Sequence, residues 1–168
     1  EHRGRDLENR LYARASRFRM PSPTLRDWAL ASSGLIDRRI GGRPVYPYQP
    51  DAIWEALAIT KERDFTYPAS SSDDLYRRSL YTFWRRTSPP PSMLTFDAMS
   101  REVCTAKRDV TATPLQSLVL LNDPQFVEAA RVLGQRLLRR YPHDAAARNR
   151  EAFRSLVGRA PDDAEARI

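Results

Sequence analysis

Apolar residues recur at three- and four-residue intervals in short blocks, separated by stretches rich in proline and glycine. Over residues 6–17, Leu7, Leu11, Tyr12 and Ala15 share one face of an expected first helix. Met20-Pro21-Ser22-Pro23 breaks it. A second helix is expected from Pro23 or Thr24, turning Leu25, Trp28, Ala29 and Ala31 inward and ending at Gly34, a residue suited to a left-handed cap. The last third has the clearest periodicity. Thr113 and Pro114 open a helix with Leu115, Leu118, Val119 and Leu121 as its buried face, ending at Asn122. Asp123 then caps a longer helix, Pro124 to Arg140, with Phe126, Val127, Ala130, Leu133, Leu137 and Leu138 on one side. Arg136, Arg139 and Arg140 are expected to complement its C-terminal dipole. A further helix follows Tyr141-Pro142 and presents Phe153, Leu156 and Val157 before Gly158; residues 161–165 read as the opening turn of another.

Between these blocks the pattern dissolves. Residues 40–50 hold too much glycine and proline for regular structure and should form an extended connector. Gly41-Gly42 beside arginines could nest an anion, but without a following lysine and hydroxyl it is no phosphate-binding loop, and a plain turn is the favoured reading. Pro50 opens a short helix carrying Ile53, Trp54, Leu57 and Ala58, and residues 70–74 form a polar surface loop. Leu75, Tyr76, Leu80, Phe83 and Trp84 fit a helical stripe, yet Tyr81-Thr82-Phe83-Trp84 has strand composition, and an extended path is preferred. Pro89-Pro90-Pro91 is expected as a polyproline II segment on the surface. The fold class is therefore mainly α: one irregular multi-helix domain over residues 1–168, with long connections, a terminal helical hairpin and at most a short β element.

Composition narrows the function classes. At 168 residues, 41% hydrophobic and 29% charged, the chain suits a single core and has no run long enough to span a bilayer as a helix. The lone Cys104 forms no internal disulfide and no haem-attachment motif, and is read as an inert thiol; His2 and His143 stand apart and suggest no metal site. The net charge of +7 would suit a polyanion, and Lys61 and Lys107 are the only lysines among the cations. The arginines are interleaved with acids along the chain rather than clustered, which disfavours nucleic-acid binding.

Several segments in fixed order carry a family resemblance: Gly34 to Asp37 with Gly41-Gly42, Tyr48-Gln49-Pro50, the run from Leu75 to Tyr81, Phe96-Asp97, Arg101-Glu102, and Thr113-Pro114-Leu115-Gln116 through Leu121-Asn122-Asp123-Pro124. Together they resemble the C-terminal domain of unknown function of planctomycete-type cytochrome c proteins, over about residues 10–159. The resemblance implies an exported, periplasmic or extracellular parent, with haem confined to an upstream module and no cofactor in this chain. It also implies that the chain forms the latter part of a larger domain, that its partners are the parent's upstream domains, and that the parent is associated with polysaccharide breakdown. The family has no established catalytic residues to carry over.

Three functional readings compete. The first is a non-catalytic structural or interaction module, leaning away from an enzyme because no catalytic signature appears. The second is a carbohydrate-active or acidic-glycan-binding domain. It would use Asp97 and Glu102 as paired carboxylates, Arg78, Arg101 or Arg108 as anion ligands, Tyr81 or Trp84 as stacking faces, and Gln116 as a further polar contact. Set against it, Asp97 and Glu102 are expected to pair with arginines and tie down an irregular loop. Nucleic-acid binding ranks last.

Overall fold

A computed structural model describes residues 6–12, 18–54, 66–107 and 109–167. Five helices dominate them: α1 (Ser22–Ser33), α2 (Pro91–Thr95), α3 (Pro114–Asn122), α4 (Pro124–Arg140) and α5 (Ala145–Val157). Single 3₁₀ turns occupy Ser72–Tyr76, Ser79–Tyr81 and Glu165–Arg167, and there is no sheet among the described residues.

α1 starts without a side-chain cap but with Pro23 in its first turn, and ends at Gly34 in the left-handed conformation (φ 88°). That backbone conformation calls for glycine, and a Cβ there, 3.1 Å from an Arg136 guanidinium nitrogen, would require that side chain to shift slightly. The helix does not bury the apolar side that its sequence offers. Ser22, Arg26, Leu30 and Ser33 are its buried residues, Leu25, Trp28 and Ala29 are half-buried, and Ala31 is exposed. α4 answers with Gln125, Ala129, Leu133 and Leu137, one residue per turn. Leu133 and Leu137 sit where the pattern places them, whereas Val127, Ala130 and Leu138 are exposed. Arg26 meets Gln125, and Arg136 donates to the Ser32 carbonyl at 2.8 Å. N-terminal ends thus meet each other, as do C-terminal ends, so α1 and α4 run in the same sense. Arg136 caps α1 as well as lying in the C-terminal part of its own helix.

Asp123 ends α3 and begins α4, its carboxylate accepting the Gln125 N–H at 2.9 Å. The helical pair is as expected, but α3 is inverted. Its only buried residue is Gln116, while Leu115, Leu118, Leu120 and Leu121 are 56%, 55%, 43% and 73% exposed. α5 follows with the Asp144 carboxylate accepting the Ala147 N–H and with Gly158 as a left-handed cap.

Three sequence expectations are corrected. Residues 6–12 form turns rather than helix, held where Asp6 accepts the Arg10 and Leu11 N–H groups; residues 13–17 lie outside the described residues. Residues 51–54, where a helix is expected to begin after Pro50, form a turn, and the rest of that expected helix, with Leu57 and Ala58, lies outside the described residues. The triple proline does not skirt the surface: Pro90 is buried and Pro91 opens α2, using its fixed φ and missing N–H where a first turn tolerates both. The connector expected over residues 40–50 has no regular structure, and it bends at Gly41-Gly42 rather than running extended throughout. Isolated parallel bridges at Asp37–Arg77 and Val45–Thr82 flank that bend, and Val45 is buried. Tyr81 closes a 3₁₀ turn, while Thr82 and Phe83 continue extended, with the Phe83 N–H donating to Val45 at 2.8 Å. Behind this pairing Tyr46, Trp54, Tyr67 and Phe83 form an aromatic cluster, with Tyr46 stacked on Phe83 at 4.9 Å.

Buried polar residues equal or outnumber buried apolar ones among the described residues, and Arg26 is the most highly connected of them. Its guanidinium donates to Gln125 Oε1, to the carbonyls of Arg77 and Leu75 at 2.8 and 2.7 Å, and to Ser79 Oγ at 3.3 Å. Replacing Arg26 with leucine should strand these acceptors and cost about 3 kcal/mol or more. Lysine should recover only part, because one ammonium cannot span the same fork; urea denaturation of the two variants checks both. Gly34→Ala should cost about 1–2 kcal/mol in the same assay.

Candidate functional site

Two buried guanidiniums organise the irregular half of the chain. Burial drives the Arg26 pKa down to about 10, against the pull of Asp27 and Asp123, and this leaves it charged at neutral pH. Asp27 links the Arg26 cluster to the next residues: its carboxylate accepts the Ser79 N–H at 2.6 Å and lies 3.9 Å from both Arg26 and Arg78. Arg77 is equally buried. It stacks 4.0 Å over the Tyr81 ring and donates to the carbonyls of Arg39, Gly41 and Arg43. The glycine loop therefore presents carbonyl oxygens to a cation, the opposite polarity from an anion nest. Gly42, at φ 94°, leaves room for that guanidinium, which would lie 3.2 Å from an added Cβ.

A second cluster surrounds a cleft of about 250 Å³. The cleft lies between the approach to α1 and the segment after α2, with Arg19, Trp84, Phe96, Asp97, Arg101 and Asp109 among its lining. Asp97 adopts a left-handed backbone (φ 58°) and accepts from the Thr111 N–H at 2.8 Å and hydroxyl at 2.7 Å. These bonds, the backbone one foremost, hold its carboxyl below the usual aspartate range. Thr111 Oγ1 in turn accepts from Gln116 Nε2 at 3.1 Å. The same amide nitrogen donates to the Thr95 carbonyl at 3.0 Å, and Gln116 Oε1 accepts from Arg19 at 2.8 Å. All the hydrogen-bonding groups of this buried amide are thus occupied internally.

The sequence-predicted residues divide among three places. Trp84, Asp97 and Arg101 meet at the cleft, and Gln116 reaches it through Thr111 and Arg19. The Arg101 guanidinium lies 4.6 Å over the Trp84 ring, whose indole N–H donates to the Ser100 carbonyl. Tyr81 belongs to the Arg77 cluster, its hydroxyl accepting the Gly41 N–H at 2.8 Å. Arg78 is surface-exposed beside Asp27. Glu102 is exposed and is not part of the cleft lining, so the geometry gives an Asp97/Glu102 acid pair no support. Arg108 lies outside the described residues. Sequence reading missed Arg26, Arg77, Arg19 and Thr111. The one available signal was Arg26 falling among apolar neighbours on a helix; nothing local marks the other three.

Cys104 is exposed, and no group of acids, histidines or cysteine that could hold a metal gathers among the described residues. The Asp97 tie has a pH signature. Because the folded-state pKa is depressed, the tie contributes fully above the ordinary aspartate range and is lost as pH falls below about 4. The protection factor of the Thr111 amide, taken against its intrinsic exchange rate at each pH, should fall across that window, and Asp97→Asn should abolish the transition. An unchanged profile in the variant would remove the tie.

No curated protein and no solved structure gives a significant match to the chain. A family does match, along residues 1–168, under the description PSD1: Protein of unknown function (DUF1553). With the whole sequence inside that match, the chain belongs to the DUF1553 family.

Proposed function

We propose that this chain is a non-catalytic interaction module of a larger exported protein, docking through α3 onto a neighbouring part of the same polypeptide. The inverted amphipathicity of α3 carries this reading. A helix with five aliphatic residues in nine ordinarily turns them inward, yet here its amide is buried and its leucines face solvent. Beside Leu115 and Leu118 lies a groove of about 830 Å³, bordered by Tyr48, Pro50, Pro91 and Pro124. A leucine ridge next to a proline-walled groove is the kind of apolar patch that marks a protein contact. The occupant we assign is the upstream region of the parent, where the family resemblance places a haem-binding cytochrome module; this chain then needs no cofactor of its own. Export to the periplasm or cell exterior, and a role beside polysaccharide breakdown, belong to the same proposal.

The internal use of the charged residues also supports this reading. Arg26 and Arg77 spend their hydrogen bonds on the fold, and Asp97 accepts two from Thr111. Binding of this chain to the separately produced upstream region, followed by calorimetry, tests the assignment. Leu118→Glu should weaken it by about 2 kcal/mol, roughly thirtyfold, with the far-ultraviolet circular dichroism unchanged. If wild-type chain does not bind, or the variant binds as tightly, α3 is not the docking surface.

A further inference from the structure

We infer that the cleft beside Trp84 binds a small ring-bearing carboxylate, gripped by Arg101 with Arg19 behind it. This site is separate from the α3 face and does not depend on the docking reading. Its volume of about 250 Å³ is roughly that of eight liquid waters, and would hold one six-membered ring with its substituents. The walls are chiefly apolar, with Met20, Pro21, Pro23, Phe96, Met99 and Val110 contributing, while the charged groups are few. Apolar walls with a few fixed polar groups are what a small-molecule site requires.

Arg101 is the distinguishing feature. Its backbone is left-handed at φ 64°, a conformation that costs free energy for a residue with a Cβ. Asp97, four residues earlier, has a local reason for the same conformation in its two bonds from Thr111. Arg101 has no such reason: its guanidinium stacks on Trp84 and makes no hydrogen bond or ion pair with other described residues. A guanidinium is thus held over an indole ring on the lining of a largely apolar cleft, with no polar partner among the described residues, and its planar fork of donors suits a carboxylate. Arg19 uses one nitrogen on Gln116 and supplies positive potential at the same place. Of the two acids on the lining, Asp97 already accepts two bonds from Thr111, and exposed Asp109 offers an acceptor for a ring hydroxyl.

The test follows the Trp84 indole resonance of the full ¹⁵N-labelled chain, assigned by its loss in Trp84→Phe. D-Glucuronate and benzoate are the probes; D-glucose, a ring without charge, and acetate, a charge without a ring, are the controls. At least one probe should shift the resonance saturably below about 10 mM, and both controls should bind at least about tenfold more weakly. Saturation by glucuronate alone assigns a sugar acid, by benzoate alone an aryl acid; saturation by both supports the shared chemistry. Arg101→Asn removes the guanidinium while tolerating the left-handed backbone and should weaken binding about tenfold. Glu102→Gln, outside the cleft, should leave it unchanged. Failure of both probes to saturate, glucose or acetate binding as well as they do, or an Arg101→Asn variant that binds like wild type overturns the inference.

Discussion

The fold depends on burying a charged guanidinium. Arg26 lies inside the α1–α4 interface at 4% exposure, and removing such an ion from water is expensive unless its hydrogen bonds are remade. They are remade largely from two short 3₁₀ turns and the residue between them. The carbonyls of Leu75 and Arg77, Ser79 Oγ and Gln125 Oε1 surround it, so one side chain joins two helices to the loop between two 3₁₀ turns. Arg77, whose carbonyl takes one of those bonds, repeats the device one layer further out, gathering three carbonyls of the 39–43 loop. With long connections and no sheet among the described residues, buried backbone carbonyls must be satisfied by other means. Arginine, with five donors in a rigid plane, is well suited to do so, which gives some of the arginine excess a structural reason.

Local chemistry was legible where it acts alone. Gly34 and Gly158 end helices because only their backbone geometry is at stake, and Asp123 caps α4 through a bond two residues away. The mainly helical class followed from the same signals. What failed was the assumption that apolar means inward. On α1 the buried line runs Ser22, Arg26, Leu30, Ser33, a choice made by partners around fifty to one hundred residues away in sequence. No window along α1 contains those partners. Pro91 misled differently: a run of three prolines has the local preference of an extended segment, but its last member is equally suited to a first helical turn.

The candidate residues show the same split between composition and placement. Trp84, Asp97 and Arg101 could be named from sequence because aromatic, acidic and basic residues alternate there, and they do meet at one cleft. Their roles could not be named. Asp97 depends on Thr111, fourteen residues on, and Glu102, equally acidic and nearer to Arg101 in sequence, is outside the cleft lining. Residue type suggests chemistry, but only the path of the 97–111 loop decides which groups share a surface.

Gln116 lies between the leucines of α3 and the cleft. Its amide is fully used by Thr95, Thr111 and Arg19, so rotating α3 to hide the leucines would break three hydrogen bonds and expose their partners. Each half-exposed leucine forgoes about 1 kcal/mol of burial; the two neutral bonds return a comparable amount apiece and the charge-assisted one from Arg19 somewhat more. In the isolated chain the two orientations are therefore close in energy, and the burial of Gln116 decides between them. The same amide braces Thr111, and through it the Asp97 carboxylate at the cleft. A contact that covered the leucines would further favour the orientation in which Gln116 holds these bonds.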